Sequence, residues 1–220
     1  MSRIFDILFS LVILFIFLPI GFIIIVILKL TGEGEVLYKQ LRIGKNREEF
    51  GLYKFVTMLK DSPNLGAGDI TLKNDSRVLP FGKFLRKTKL NEFPQFINVL
   101  LGHMSIVGPR PLVVNQFDLI PDQYKKKILF SSPGITSIGS IVFRDEEEFL
   151  NNYKDDSTKF YNEQIIPYKA KIECWYYDHR SIFMDLLIIL ITILSIVFPQ
   201  IRFYNYLFNS LPKHPIFNSK

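Results

Sequence analysis

The densest run of residues able to do chemistry lies between Lys83 and Pro111, KFLRKTKLNEFPQFINVLLGHMSIVGPRP. Arg86, Lys87 and Lys89 place three cations just ahead of Glu92. Asn91 has the short polar side chain of a helix N-cap, Glu92 and Pro94 suit a first turn, and Gly102 suits the position past the last one. Phe93, Phe96, Ile97, Leu100 and Leu101 recur at helical spacing, which predicts an amphipathic helix with a marked start. The N–H groups at such a start, with the dipole and the cations, would favour a phosphate. Gly108-Pro109-Arg110-Pro111 predicts a stiff turn holding one guanidinium, the group suited to bidentate phosphate contacts. The same residues also describe a capped surface helix with solvated lysines, and composition alone does not choose between the two.

Other chemistry-bearing residues carry less. His103 is a possible acid or base, but a lone histidine beside a turn is usually structural. The run Asp145-Glu146-Glu147-Glu148 could hold a cation, although a solvated acidic face is the commoner outcome. Cys174 and His179 have no metal-ligand company in the sequence. Trp175-Tyr176-Tyr177, ahead of an apolar stretch, suits either the headgroup layer of a membrane or a protein core.

These residues need elements to position them. Ile7–Leu28 is a stretch of 22 residues with only Ser10, Pro19 and Gly21 not apolar. As a helix it would be about 33 Å long, enough for a hydrocarbon core of about 30 Å. Pro19 near its middle predicts a kink. Arg3 and Lys29 flank it, so the positive-inside rule would keep both ends on the cytoplasmic side. A helix that breaks at Pro19 and turns back meets that rule, and an ordinary kinked span does not; these features leave both open. Ile182–Phe198 is a second apolar stretch, short for a span and carrying Asp185, so an interfacial or core-packed helix is expected. Between them Val36-Leu37-Tyr38 and Leu52-Tyr53-Lys54-Phe55 predict short strands around a Gly44–Gly51 turn region, and Asn64–Asp75 predicts a loop.

The 220 residues carry a net charge of +6 and a mean hydropathy of +0.19. High apolar content excludes a disordered chain, and 12 Gly with 12 Pro exclude a collagen-like one. With one cysteine, no intramolecular disulfide forms. The whole charge excess falls in residues 35–90, with twelve basic against six acidic side chains. That position beside the apolar front end argues for lipid or phosphorylated substrate and against nucleic acid.

The motif run resembles the signature of the bacterial sugar transferase family, the monotopic phosphoglycosyl transferases that initiate surface-glycan assembly. The family pattern is Leu-Asp-Glu-Leu-Pro-Gln, then Asn-Val-Leu-x-Gly-Asp-Met-Ser-x-Val-Gly-Pro-Arg-Pro. This chain has Leu90-Asn91-Glu92-Phe93-Pro94-Gln95, and then Asn98 to Pro111 in the same order. Arg3-Ile4-Phe5-Asp6, Gln40-Leu41-Arg42-Ile43-Gly44, Tyr53-Lys54-Phe55-Val56-Thr57-Met58 and Pro133-Gly134-Ile135-Thr136 match further landmarks.

The resemblance implies an α/β fold. A re-entrant helix–break–helix over residues 1–34 would be followed by a small mixed α/β catalytic domain over 35–180 and an interfacial helix and tail over 181–220. It implies transfer of a sugar 1-phosphate from a UDP-sugar to polyprenyl phosphate, with Mg²⁺ and release of UMP, on the cytoplasmic face of the bacterial inner membrane. Lys54, Arg86 and Arg110 stand at the family's basic positions and are expected to contact phosphate. Glu92 and Asn91 are the expected catalytic positions, and Glu92 is expected to bind the metal. Membrane lipids are expected partners, nucleic acid is not, and the oligomeric state, a homo-oligomer included, stays open.

The chain departs from the pattern at its centre. Where the family has an Asp nucleophile this chain has Asn91, which leaves three readings. Glu92 takes over or transfer is direct; the chain is catalytically impaired and acts as a polyprenyl-phosphate-binding or scaffold protein in glycan assembly; or it is a natural variant with its own tuning. His103 in place of Asp, Val56 where a basic residue is frequent, and Ser132 before Pro133 are further differences. Such scattered changes favour natural divergence and retained activity.

Overall fold

The structure, a computed structural model, describes residues 3–64, 75–144, 146, 150 and 157–213. It is mixed α/β and mostly helical. The predicted 64–75 loop therefore falls largely outside the described residues, as do Asp145, Glu147 and Glu148 of the acidic run.

Helix α1, Arg3–Leu30, has 28 residues and would extend about 42 Å at 1.5 Å per residue. The break predicted at Pro19 is not seen as two helices: α1 is assigned as one helix through it. A single missing N–H leaves the flanking turns able to continue, as helices in apolar surroundings tolerate. Its apolar side chains are largely unburied, with Phe15, Leu18 and Phe22 among the exposed ones. Three places on α1 nevertheless meet the rest of the chain. At its start Asp6 is buried and accepts a hydrogen bond from Ile106 N at 3.1 Å, while Arg3 Nη2 donates to Leu100 O at 3.0 Å. Halfway along, the Phe17 ring lies 5.3 Å from that of Phe93. Near its end Ile24 and Leu28 pack with Phe55 and Leu85.

Strands β1, Leu37–Ile43, and β2, Glu49–Phe55, form an antiparallel hairpin closed by a 3₁₀ turn at Lys45–Arg47. Both strands are longer than predicted and β1 starts after Val36. The reason is polarity: Gln40 and Arg42, on the face shared with Lys54, and Lys39, on the opposite face, break any apolar alternation. Pairing of Tyr38 with Lys54, Gln40 with Leu52 and Arg42 with Phe50 places these six side chains on one face.

Helix α2, Pro80–Lys87, leads through Thr88 and Lys89 to a 3₁₀ turn at Leu90–Glu92, then to α3, Gln95–Leu101. Gly102 closes α3 at φ +89°, a left-handed conformation suited to glycine. Strand β3, Ser105–Val107, pairs in parallel with β4, Gly134–Thr136. Between them lie α4, Val114–Asp118, and α5, Asp122–Phe130. Then come α6, Ile138–Val142, the short α7, Ser157–Phe160, a π-helical turn at Tyr161–Ile165, and α8, Ile166–Asp178.

Helix α9, Ile182–Val197, buries Ile188 and Ile191 and leaves Phe183, Leu186, Leu190 and Ile193 exposed. It is a helix packed on one side, and Tyr176 Oη donates to Asp185 Oδ1, which accounts for the carboxylate in an apolar stretch. The four-residue α10, Tyr204–Leu207, follows. Trp175 and Tyr176 belong to the main core, with Ile138, Ile165 and Ile172, and not to an outer surface; Tyr177 alone of that trio is exposed.

Candidate active site

Two of the predicted site residues make a direct ion pair. Arg110 Nη2 donates to Glu92 Oε1 at 2.8 Å and Nη1 to Oε2 at 3.4 Å, so the guanidinium spans both carboxylate oxygens. Both local backbones explain this meeting. Gly108 N donates to Thr136 O at 3.1 Å and Gly134 N donates to Pro109 O at 3.0 Å, so the Gly-Pro-Arg-Pro and Pro-Gly-Ile-Thr motifs fit together. A Cβ on Gly108 would lie 2.2 Å from Ser132 O, and one on Gly134 would lie 2.1 Å from Gly108 N. Only glycine allows that approach. Glu92 is delivered by the 3₁₀ turn, which is set up by Lys89 at φ +61°, a conformation uncommon outside glycine and costing about 1 kcal/mol or more.

Lys54 sits on the hairpin face shared with Gln40 and Arg42. Its Nζ is 3.5 Å from Gln40 Oε1, which also accepts from Arg42 Nη2 at 2.6 Å. Burial pulls the Lys54 ammonium down to about 7, Arg42, Arg110 and Arg86 push the same way, and Glu92 partly opposes them. For Glu92 burial acts to raise the carboxyl pKa. The charge and hydrogen bonds of Arg110, with Lys54 and Lys89, outweigh it and hold the carboxyl well below the usual range. Arg86 lies on α2 with Nη1 3.8 Å from Met58 Sδ, and its charge is felt at Lys54. Lys54, Glu92, Arg86 and Arg110 are thus brought into one electrostatic cluster with more positive than negative charge.

Asn91 is placed differently from the prediction. It is not an N-cap: α3 starts at Gln95 with Pro94 before it, and Asn91 lies inside the 3₁₀ turn. The Pro94 ring starts α3 three residues later than Asn91 would have, so a seven-residue helix replaces the longer one expected. The exposed Ile97 and Leu101 show that the apolar stripe does not all face inward. The Asn91 side chain turns in, 8% exposed, and its Oδ1 has no hydrogen-bond partner among the described residues. Gln95 is buried as well, with Nε2 in the same situation.

Several residues escaped the sequence reading. Asn98 Oδ1 accepts from Tyr53 N at 2.9 Å and its Nδ2 donates to Gly51 O at 2.8 Å, so one buried amide ties α3 to β2 beside Lys54. Arg42 Nη1 donates to Pro111 O at 3.2 Å and Ile43 N to Leu112 O at 2.9 Å, which joins β1 to the Arg110 turn. Tyr161, in the π turn, is buried and electrostatically linked to Arg110, and burial pushes its phenol up. Glu146 pairs with Lys169 at 2.5 Å. The Asn98 and Arg42 positions lay inside quoted motifs; the π turn has no sequence signal. The His103 ring lies tilted against that of Phe50, 5.7 Å away, and the His179 ring stacks on Trp175 at 4.6 Å.

The described residues thus combine a parallel β3–β4 clasp that presents an arginine to a glutamate, a lysine on a neighbouring hairpin, and one apolar helix long enough to cross a membrane. The chain belongs to the bacterial sugar transferase family, whose profile matches residues 1–199. It is 33% identical over 204 residues to the exopolysaccharide production protein PSS of Rhizobium leguminosarum bv. phaseoli, covering 89% of this chain and 94% of that one. It is 34% identical over 196 residues to a UDP-N-acetylgalactosamine-undecaprenyl-phosphate N-acetylgalactosaminephosphotransferase of Aeromonas hydrophila. With the UDP-glucose:undecaprenyl-phosphate glucose-1-phosphate transferase of Klebsiella pneumoniae it shares 35% identity over 199 residues. The matches cover 87% of this chain in both cases, but only 42% and 39% of those two longer proteins.

Proposed function

We infer that this sugar transferase moves a sugar 1-phosphate from a UDP-sugar to undecaprenyl phosphate or another polyprenyl phosphate and releases UMP. This is the first membrane step in building a polysaccharide or glycoconjugate. The observation that carries the reading is the Arg110–Glu92 pair set beside Lys54 in a basic cluster, in a chain whose relatives are named as phosphotransferases of this kind. Two phosphate groups brought together need several cations, and Lys54, Arg86 and Arg110 take that role.

Magnesium fits the site in a limited way. Mg²⁺ is commonly held by one or two carboxylates together with substrate phosphates and waters. Of the four clustered side chains Glu92 alone carries a carboxylate, so it would hold the ion together with the diphosphate, while Asn91 Oδ1 is buried without a partner among the described residues. Bound there, the ion would offset phosphate charge. The protein's own side chains position the rest: Arg110 orients Glu92, Arg42 and Asn98 fix the hairpin and turn, and Lys54 approaches the phosphates from β2.

The domain reading is 1–34 for the membrane segment, 35–180 for the catalytic part and 181–220 for an interfacial helix and tail. Both ends of α1, which runs as one helix through Pro19, are tied to the same body, Arg3 and Asp6 to the α3–β3 junction and Leu28 to Phe55 and Leu85, which supports a helix lying along that body and not one that turns back at Pro19. A helix crossing the bilayer would carry one end to the far side. The basic excess of residues 35–90 then faces anionic lipid on the cytoplasmic face of the inner membrane. The test is turnover: purified protein, a panel of UDP-sugars, undecaprenyl phosphate and Mg²⁺, with UMP measured. UMP release that requires the lipid phosphate supports the reading, and none across the whole panel overturns it.

A further inference from the structure

Arg110 has a second set of polar neighbours, to which the transfer just described gives no task. Besides Glu92, its guanidinium lies in the field of Glu146 and of the Tyr161 phenol. Glu146 Oε2 accepts from Lys169 Nζ at 2.5 Å, and the Tyr161 hydroxyl donates to the same carboxylate. Lys169 Nζ stands 5.1 Å from the centre of the Phe143 ring and 5.3 Å from that of Tyr161, within cation–π range of both. Tyr161 opens the π turn, an arrangement frequent at functional sites.

The chemistry of this set suits a polyol. A carboxylate has about four lone-pair positions, of which Lys169 and Tyr161 occupy two on Glu146. The Glu146 side chain is 22% exposed and that of Lys169 19%, so both can be reached from solvent. Free carboxylate lone pairs repel a phosphate and accept from hydroxyl or amide N–H groups. The ammonium beside them adds a donor, and a sugar ring offers groups that both donate and accept at successive carbons. A nucleobase fits less well, because it needs a flat face to stack on. Phe143 and Tyr161 are each only 7% exposed, with the ammonium over both rings. Arg110 links this set to the phosphates. The sugar is bonded to the phosphate that is transferred, so its hydroxyls come to lie among the neighbours of a side chain that holds that phosphate.

Resting on the transferase reading above, we propose that Glu146 is the residue that recognises the sugar. Its carboxylate accepts from hydroxyl or acetamido N–H groups of the hexose and so decides which sugar 1-phosphate is transferred. Lys169 holds that carboxylate and offers a donor to a hydroxyl oxygen. Tyr161 is a positioning residue that fixes the carboxylate's orientation. A site built in this way discriminates strongly, since a sugar whose hydroxyl is missing or inverted leaves a partly buried charged group unpaired.

The experiment uses the full chain in lipid nanodiscs with undecaprenyl phosphate and Mg²⁺. It measures kcat/KM for UDP-glucose, UDP-galactose and their N-acetylhexosamine counterparts from labelled sugar reaching the lipid, and the inhibition constant of added UMP. Glu146→Gln keeps the shape and removes the charge. The ratio of kcat/KM for the best sugar over its epimer should fall about tenfold or more, as expected for a hydrogen bond to a charged group, with UMP inhibition unchanged. Equal loss for every sugar with the ratio unmoved would make Glu146 a structural partner of Lys169 and overturn the inference. Weakened UMP inhibition would place the contact on the nucleotide and overturn it too. Glu146→Asp keeps the charge and draws the oxygens back by one methylene, so it serves if the glutamine variant does not fold. It should move the ratio in the same direction, and an unmoved ratio there is equally fatal. No turnover by the wild type with any sugar overturns the transferase reading itself, whereas an unmoved ratio leaves that reading standing.

Discussion

The contact between Gly108 and Gly134 gives a demanding test of how the site is built. In Gly134→Ala the added Cβ would sit 2.1 Å from Gly108 N, 2.5 Å from Gly108 O and 2.7 Å from Gly108 Cα, all backbone atoms. Restoring an ordinary contact of 3.4 Å requires the strands to part by about 1.3 Å, the difference between 3.4 and 2.1 Å. The two cross-strand bonds, Gly108 N to Thr136 O and Gly134 N to Pro109 O, stretch with it. Two hydrogen bonds at about 1 kcal/mol each and overpacking of about 1–3 kcal/mol amount to a stability loss of about 3–5 kcal/mol. Arg110 is two residues from Gly108, so its guanidinium shifts by about 1 Å, a displacement that costs on the order of a hundredfold in rate. Gly51→Ala is the control. Its Cβ meets Lys39 Cε even more closely, at 1.9 Å, but that is the end of a flexible chain that can swing away. Thermal unfolding and initial UMP release on both variants provide the readout. If Gly134→Ala melts and turns over like the wild type, or Gly51→Ala is hit equally hard, the clasp does not position Arg110.

Two further outcomes follow from other parts of the site. Lys54 is charged in the folded chain only below about pH 7, against 10.5 when unfolded, so the unfolded state binds the extra proton between those values. Stability should therefore rise with pH from about 7 toward 10.5, and UDP-sugar affinity should fall over the same range as the ammonium is lost. Lys54→Met should flatten both profiles in pH-dependent melts and KM measurements, and unchanged slopes would exclude Lys54 as their source. Asn98→Ala removes an acceptor for Tyr53 N and a donor to Gly51 O, both backbone groups, and should cost about 2–4 kcal/mol in urea unfolding. Asn98→Asp keeps the acceptor for Tyr53 N but sets a buried carboxylate against Gly51 O, so it should cost at least as much as alanine; a loss under about 0.5 kcal/mol for the alanine variant would show that the amide does not hold α3 to β2.

Legibility from sequence followed the physical range of each signal. The apolar front end, the Gly102 stop and the hairpin were readable because local periodicity and backbone preference decide them. The meeting of Lys54, Glu92 and Arg110 was readable only through motif resemblance, since residues 38 and 18 positions from Glu92 leave no local trace of their contact. The extent of β1 was hidden because Gln40 and Arg42 face the site and so break the alternation that marks a half-buried strand. Asn91 was misplaced because N-cap preference is worth only about 1 kcal/mol and Pro94 set a later helix start. Trp175 and Tyr176 carry the composition of an interface belt, yet packing with Ile138 and Ile172 put them in the core. The π turn at Tyr161–Ile165 is one extra residue per turn fitted to tertiary packing, a feature with no propensity of its own.

Phe93 is covalently next to Glu92, and its ring rests on Phe17, in the apolar helix, with Gly21 alongside. The carboxylate that holds Arg110 is therefore one peptide bond away from a side chain seated on the membrane segment. That adjacency works as a spacer: it fixes the height of the Glu92–Arg110 pair relative to α1. In the transfer proposed above, an acceptor carried in a lipid layer would therefore meet that pair at the height α1 sets.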